Sequence, residues 1–193
     1  MPSPSVTTLL LEAREGSEPA LNRLFEQCGE RLLSLIRLRM GPKLRSRMES
    51  GDLLNATLLR AFRSFDSLEA RNTPSLMAWL ARIAENEIRD QADHLNAQRR
   101  DAAKEVALDS GMGELAARLR SQTSRLVLSE SRARLERAIG QLSDEYREVV
   151  LLRHYEELGF KEIGKRLGKS PDACRMLLAR AMSTLTLKMR EPA

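Results

Sequence analysis

The chain has 193 residues and a net charge of +5 at neutral pH, enough length for one medium domain or two small ones. Apolar residues make up 42%, only 4% of positions are aromatic, and no uninterrupted apolar run reaches membrane-spanning length. Residues 1–8 lack the basic-then-apolar order of a secretory signal, and Cys28 and Cys174 stand far apart without metal-type spacing, so a reducing cytoplasm is the expected compartment.

Helical periodicity runs through the chain, whereas strand-type alternation is almost absent, which predicts an all-α fold. Leu21, Leu24, Phe25, Cys28, Leu32, Leu35 and Ile36 make one buried helix face, with Cys28 as a packed core thiol. Gly41-Pro42 interrupts it. A second helix is predicted from about residue 50 to 64, with an inner stripe of Leu54, Leu58, Ala61, Phe62 and Phe65. Its other side carries Asp52, Ala56, Arg60 and Arg63, flanked by Leu53 and Leu59, two leucines that suit a partner surface. A third helix starts after Asn72-Thr73-Pro74 and turns Leu76, Met77, Leu80, Ile83 and Ala84 inward and Arg82 and Arg89 outward. Residues 8–100 are thus expected to form one helical domain. Serines, glycines and mixed charge over residues 101–130 read as a tether with some helical content.

The last third, residues 131–190, reads as a second domain. Leu135, Ile139 and Leu142 predict one helix, and Ser143 an N-cap for the next, which would bury Tyr146, Val149, Val150, Leu152 and Tyr155. From Phe160 to Leu178 the spacing is that of a helix-turn-helix. Ile163 and Leu167 anchor a first helix, Gly164 permits close approach, and Gly168 takes the left-handed turn. Ser170 caps a second helix that opens on Pro171. Cys174, Leu177, Leu178, Ala181 and Leu185 would face inward and Asp172, Arg175, Met176, Ala179 and Ser183 outward. Residues 159–190 hold eight basic and two acidic side chains, a local excess of six, as expected of a surface that meets phosphates. Short outer residues let a helix sit deep in a major groove while flanking cations hold the backbone.

Four segments resemble one family. Asp52-Leu53-Leu54-Asn55-Ala56-Thr57-Leu58-Leu59-Arg60-Ala61-Phe62 is similar to the D-L-V-Q-E-x-F-L-R-A-[WF] helix of bacterial RNA polymerase sigma factors. Ala78-Trp79-Leu80-Ala81-Arg82-Ile83-Ala84-Glu85-Asn86 resembles their [TA]-W-L-x-R-I-A-x-N segment. Leu142-Ser143-Asp144-Glu145-Tyr146-Arg147-Glu148-Val149 resembles L-P-x-x-Y-R-E-V, and the stretch from Ser170-Pro171 to Arg180-Ala181 resembles S-P-x-x-V-[KR]-x-x-L-x-R-A. Their order, without a third module between the halves, points to the extracytoplasmic-function (ECF) group of the sigma-70 family.

The resemblance implies a sigma region 2-like domain over residues 8–100, a linker, and a region 4-like helix-turn-helix over residues 131–190. It implies binding to core RNA polymerase through Asp52, Leu53, Asn55, Leu59, Arg60 and Arg63 on the β′ coiled coil, and through the C-terminal domain on the β flap. The loop of residues 66–74 would receive a base flipped from the −10 element, which has to offset a few kcal/mol of unstacking. Arg71, Asn72, Thr73, Trp79, Arg82, Asn86 and Arg89 are its candidate −10 contacts, although a lone Trp on a helix flank also suits the edge of a core. Lys169, Ser170, Asp172, Ala173, Arg175, Met176, Ala179 and Arg180 are the candidate −35 contacts. The chain departs from the family pattern at Asn55 and Ala56, where Gln and an acid are usual, and at Met176 and Leu177, where Ser and Arg are frequent. Gly159 replaces a hydroxyl cap and Ser143 a proline.

Promoter DNA and core polymerase are therefore the expected partners. An inhibitory anti-sigma protein is admitted as a third, and membrane and small-molecule substrates are not expected. A stand-alone helix-turn-helix regulator would account for the C-terminal half alone and leave the motifs around Asp52 and Trp79 unexplained. An enzyme acting on nucleic acid finds no support. His94 and His154 are the only histidines, and there is no Gly-rich phosphate loop or metal-type cluster. Neither a cofactor nor a metal is expected.

Overall fold

The computed structural model describes residues 5–68, 73–98 and 130–190. These are all-α, without a strand among them. They fall into two compact units. The first holds residues 5–68 and 79–98, and the second holds residues 73–78 and 130–190. Each is described by itself, and the expected tether lies outside the described residues apart from Glu130.

The first unit opens with a helix that the periodicity did not reveal, α1 (Val6–Arg14), whose amide at Thr8 donates to the capping Ser5 hydroxyl at 3.2 Å. Leu9, Leu10 and Ala13 bury its inner face against α2 (Glu18–Arg39). Ser17 caps α2 by accepting from the Ala20 amide. All seven residues of the expected α2 stripe are buried, Cys28 among them, and so are Leu33 and Leu38. The reason is that α2 packs against α1 and also against α4 (Ser50–Arg63), so more than one of its faces is covered. Gly41-Pro42 does interrupt the chain and opens the short α3 (Pro42–Arg45), which buries Leu44.

The buried face of α4 is rotated from the expected one. Leu53, Leu54, Thr57, Leu58 and Ala61 form it, and Phe62 is only half-buried. Thr57 sits at its centre because its hydroxyl donates to the Leu53 carbonyl at 2.7 Å, so a polar side chain enters the core with its donor satisfied. Leu53 is consequently 1% exposed, a correction to its reading as a partner-facing residue. Helix α5 (Thr73–Gln98) buries Leu80, Ile83 and Ala84 as expected, together with Ala81, and Leu76 and Met77, on the stretch 73–78 that groups with the second unit, are buried as expected too. Arg39 on α2 pairs with Glu85 on α5 at 3.2 Å, and the Arg14 guanidinium donates to the Leu68 carbonyl at 2.5 Å.

In the second unit α6 (Glu130–Gly140) ends before Leu142, so Leu142 is buried from the connecting turn and not from the helix. Ser143 caps α7 (Asp144–Val150), accepting from the Tyr146 amide at 3.4 Å. The helix continues through one π-helical turn, Leu151–Tyr155, where the Glu156 amide reaches back five residues to the Leu151 carbonyl at 3.0 Å. Val149, Val150 and Leu152 are buried as expected and Leu151 joins them, whereas Tyr146 and Tyr155 are only half-buried. Helices α8 (Phe160–Leu167) and α9 (Pro171–Arg190) complete the unit. Helix α9 packs on α6, α7 and α8, and its buried Cys174, Leu177, Ala181 and Leu185 are the shared inner face, with Leu178 half-buried at its edge.

Candidate nucleic-acid interface

The turn between α8 and α9 is built as the glycines and the serine predict. Gly168 closes α8 in the left-handed region at φ 65°, and the Lys169 amide donates to the Gly164 carbonyl at 2.9 Å. A β-carbon on Gly164 would lie 2.5 Å from the Lys169 carbonyl oxygen, so the second helix approaches as closely as it does only because position 164 is glycine. The Ala173 amide donates to the Ser170 hydroxyl at 3.1 Å, capping α9.

Beneath this turn the Glu156 side chain is fully buried, and its carboxylate accepts from the Arg166 guanidinium at 2.8 Å. Arg153 donates to the Leu158 carbonyl at 3.0 Å and lies over the Phe160 ring, 5.2 Å from its centroid. Arg175 lies 5.2 Å from the same ring. One aromatic ring at the start of α8 therefore makes cation–π contacts with two guanidinium groups.

All eight candidate residues of this motif are exposed: Lys169, Ser170, Asp172, Ala173, Arg175, Met176, Ala179 and Arg180. Two of its cations already hold carboxylates of their own chain. Arg175 pairs with Asp172 one turn earlier, and Lys169 pairs with Glu145 on α7 at 2.8 Å. The hydrogen bond to Glu145, with the charge of that carboxylate behind it, holds the Lys169 pKa above the ordinary lysine value. Exposed pairs of this kind are weak and screened by salt, so a phosphate can displace the carboxylate at little cost.

In the first unit, Trp79, Arg82, Asn86 and Arg89 recur at helical spacing along one face of α5, over about 15 Å of axis. Arg82, Asn86 and Arg89 are exposed and Trp79 is half-buried, so the tryptophan is partly available at the edge of the packed face. Arg71 and Asn72 lie outside the described residues, as does most of the expected base-receiving loop. Thr73 opens α5, and its side chain is outside the description as well.

Of the six candidates on α4, Asp52, Arg60 and Arg63 are exposed, Asn55 and Leu59 half-buried, and Leu53 buried. The five accessible ones share a face. Arg60 does not stand alone there, because it donates to Glu87 at 2.6 Å and to Asp90 at 3.1 Å on α5. The bond to Glu87, then that to Asp90, raises the Arg60 pKa above its ordinary value. These ties, the contacts of two arginines with the Phe160 ring and the buried Glu156 are features that the sequence did not reveal.

No group of three or more His, Cys, Asp or Glu side chains that could hold a metal occurs among the described residues, and no described helix is long and apolar enough to cross a membrane.

Two family profiles match the chain: Sigma-70 region 2 over residues 24–100, and Sigma-70, region 4 over residues 132–185. The chain is 32% identical over 172 residues to the RNA polymerase sigma factor CarQ of Myxococcus xanthus, covering 89% of this chain and 90% of that protein. It is 30% identical over 179 residues to the ECF RNA polymerase sigma factor BldN of Streptomyces coelicolor, covering 92% of this chain and 63% of BldN. The chain thus spans under two thirds of the length of BldN. Among solved structures the fold is similar to that of CnrH in complex with the cytosolic domain of CnrY, with a TM-score of 0.50, 21% identity and 94% of each chain covered.

Proposed function

Because this chain belongs to the sigma-70 family of RNA polymerase sigma factors, in the ECF group, we propose that it binds core polymerase and directs it to specific promoters to initiate transcription. The observation that carries the reading is the pairing of two family regions, in order, on one chain. A regulator acting alone would need only the second of them.

The work divides between the two units. The exposed and half-exposed face of α4 (Asp52, Asn55, Leu59, Arg60 and Arg63) docks on the β′ coiled coil of the polymerase. Trp79, Arg82, Asn86 and Arg89 on α5 follow the separated non-template strand of the −10 element, the arginines on phosphates and the indole against a base. Arg71, Asn72 and Thr73 contribute ahead of them in the chain, where a flipped base is received. Helix α9 enters the major groove of the −35 element with Ser170 and its first turn foremost, while Lys169, Arg175 and Arg180 meet phosphates or base edges. The C-terminal unit rests on the β flap as it does so.

No catalytic group of this chain takes part, because strand separation is driven by binding energy, and the cytoplasm, where the polymerase works, is the compartment. CnrH was solved with the cytosolic domain of CnrY bound, and an inhibitory protein of anti-sigma type is the corresponding partner we infer for this chain.

Reconstitution with core polymerase tests the reading. The expected result is co-purification with core enzyme and run-off transcripts from defined start sites that core enzyme alone does not give. Sequence-specific duplex binding without polymerase, and no initiation with it, would establish the stand-alone regulator instead.

A further inference from the structure

Met176 stands at the centre of the outer face of α9, ringed at the three- and four-residue spacings by Asp172, Ala173, Ala179 and Arg180. It is 57% exposed. Ala173 and Ala179 end at their β-carbons, and the neighbouring Arg175 is drawn aside onto the Phe160 ring and Asp172. The thioether therefore projects from the middle of this face. It has no hydrogen to donate and only a weak acceptor. Against the amino, carbonyl and ring-nitrogen groups of a major-groove edge it would strip water and return nothing. The one apolar feature that a base pair displays there is the C5 methyl of thymine.

We propose that Met176 is a specificity-determining residue that packs on a thymine methyl group within the −35 element. The inference rests on the proposed role of α9 in reading that element. Duplex DNA is favoured over a protein partner as the occupant because the surrounding segment, residues 159–190, carries an excess of six positive charges. The exposed Leu187 on the same side of α9 is eleven residues away, about 16 Å along the axis, with Arg180 and Ser183 between, so the two make no continuous apolar patch. An unbranched thioether also adapts its shape to a methyl group at low strain.

The test uses the full chain assembled with core polymerase. A promoter pool randomised over the −35 element is enriched for binding, and each thymine of the selected duplex is then replaced singly by deoxyuridine, which removes only the methyl. Affinity is expected to fall about fourfold at one position, the worth of one buried methyl group. In Met176→Ala, whose exposed site leaves folding intact by circular dichroism, thymine and deoxyuridine should bind alike at that position while the other positions are unaffected. Equal binding of thymine and deoxyuridine at every position, or discrimination that survives in Met176→Ala, would overturn the proposal. A selected element without an A·T pair would overturn it as well. Loss of core-polymerase binding in Met176→Ala would assign the side chain to a protein surface instead. If the assembly enriches no sequence at all, it is the reading of α9 itself that fails, a result distinct from all of these.

Discussion

Arg175 has two partners on its own chain, the Asp172 carboxylate and the Phe160 ring, and any contact with DNA has to compete with the first of them. Asp172→Asn removes that competitor and should tighten binding to duplex DNA of any sequence by about two- to fivefold, the worth of an exposed pair. Fluorescence anisotropy at moderate salt measures it, and unchanged affinity would mean that the carboxylate does not hold the arginine back. Arg175→Ala should weaken binding by about 1–3 kcal/mol on the selected promoter if the guanidinium meets a base edge. An equal loss on unrelated DNA would make it a phosphate contact. In the first unit the same logic governs Arg60. Arg60→Glu would set three carboxylates together with Glu87 and Asp90, so Arg60→Gln is the cleaner probe. It should lower stability by under about 1 kcal/mol, since the side chain is half exposed, yet measurably weaken association with core polymerase. Undiminished polymerase affinity would count against the docking role of α4.

Among the elements, the turn between α8 and α9 sets the aim of the recognition helix, and its two glycines fail differently when replaced. Gly168→Ala forces a β-carbon into the left-handed region and should cost about 1–2 kcal/mol, leaving the geometry of the motif intact. Gly164→Ala sets a β-carbon against the backbone at Lys169, so the turn itself has to shift, at about 1–3 kcal/mol. Urea unfolding gives both figures, and promoter affinity should fall out of proportion to stability only in Gly164→Ala.

This turn was legible in the sequence because Gly168, Ser170 and Pro171 each answer a local backbone requirement that the neighbours do not alter. The stripes of α2 and α5 were legible for a related reason, since a face covered by apolar residues repeats with the helix. Helix α4 was misread by part of a turn because Thr57 counts as polar until its hydroxyl is seen to bond its own helix. Helix α1 escaped notice because it buries only Leu9, Leu10 and Ala13, too few to declare a period. Within the candidate interface, the exposure of the α9 residues followed from spacing alone. The ties of Arg60, Lys169 and Arg175 did not, because each depends on which side chain another segment brings alongside.

At the scale of the whole molecule, the net charge of +5 conceals an excess of six in residues 159–190 and a near-neutral remainder. Binding to duplex DNA should therefore be strongly salt-dependent through the second unit, and Lys169→Ala should reduce the slope of log affinity against log salt by about one if that lysine meets a phosphate. A slope unchanged by the substitution would leave Lys169 to its bond with Glu145 alone.

The π-helical turn at Leu151–Tyr155 bears on how the C-terminal unit can vary in length. Such a turn holds one residue more than the α-helix around it. Deleting the exposed His154 would let the segment relax to ordinary helical winding while the residues after it keep their facing, because the extra residue is the one that the wider turn takes up. The buried Glu156 would stay with Arg166, and the reading helix would keep its aim. A one-residue deletion here is thus the one the unit can absorb, whereas the same deletion within Asp144–Val150 would turn everything after it by about 100° and aim the reading helix at the wrong side of the groove.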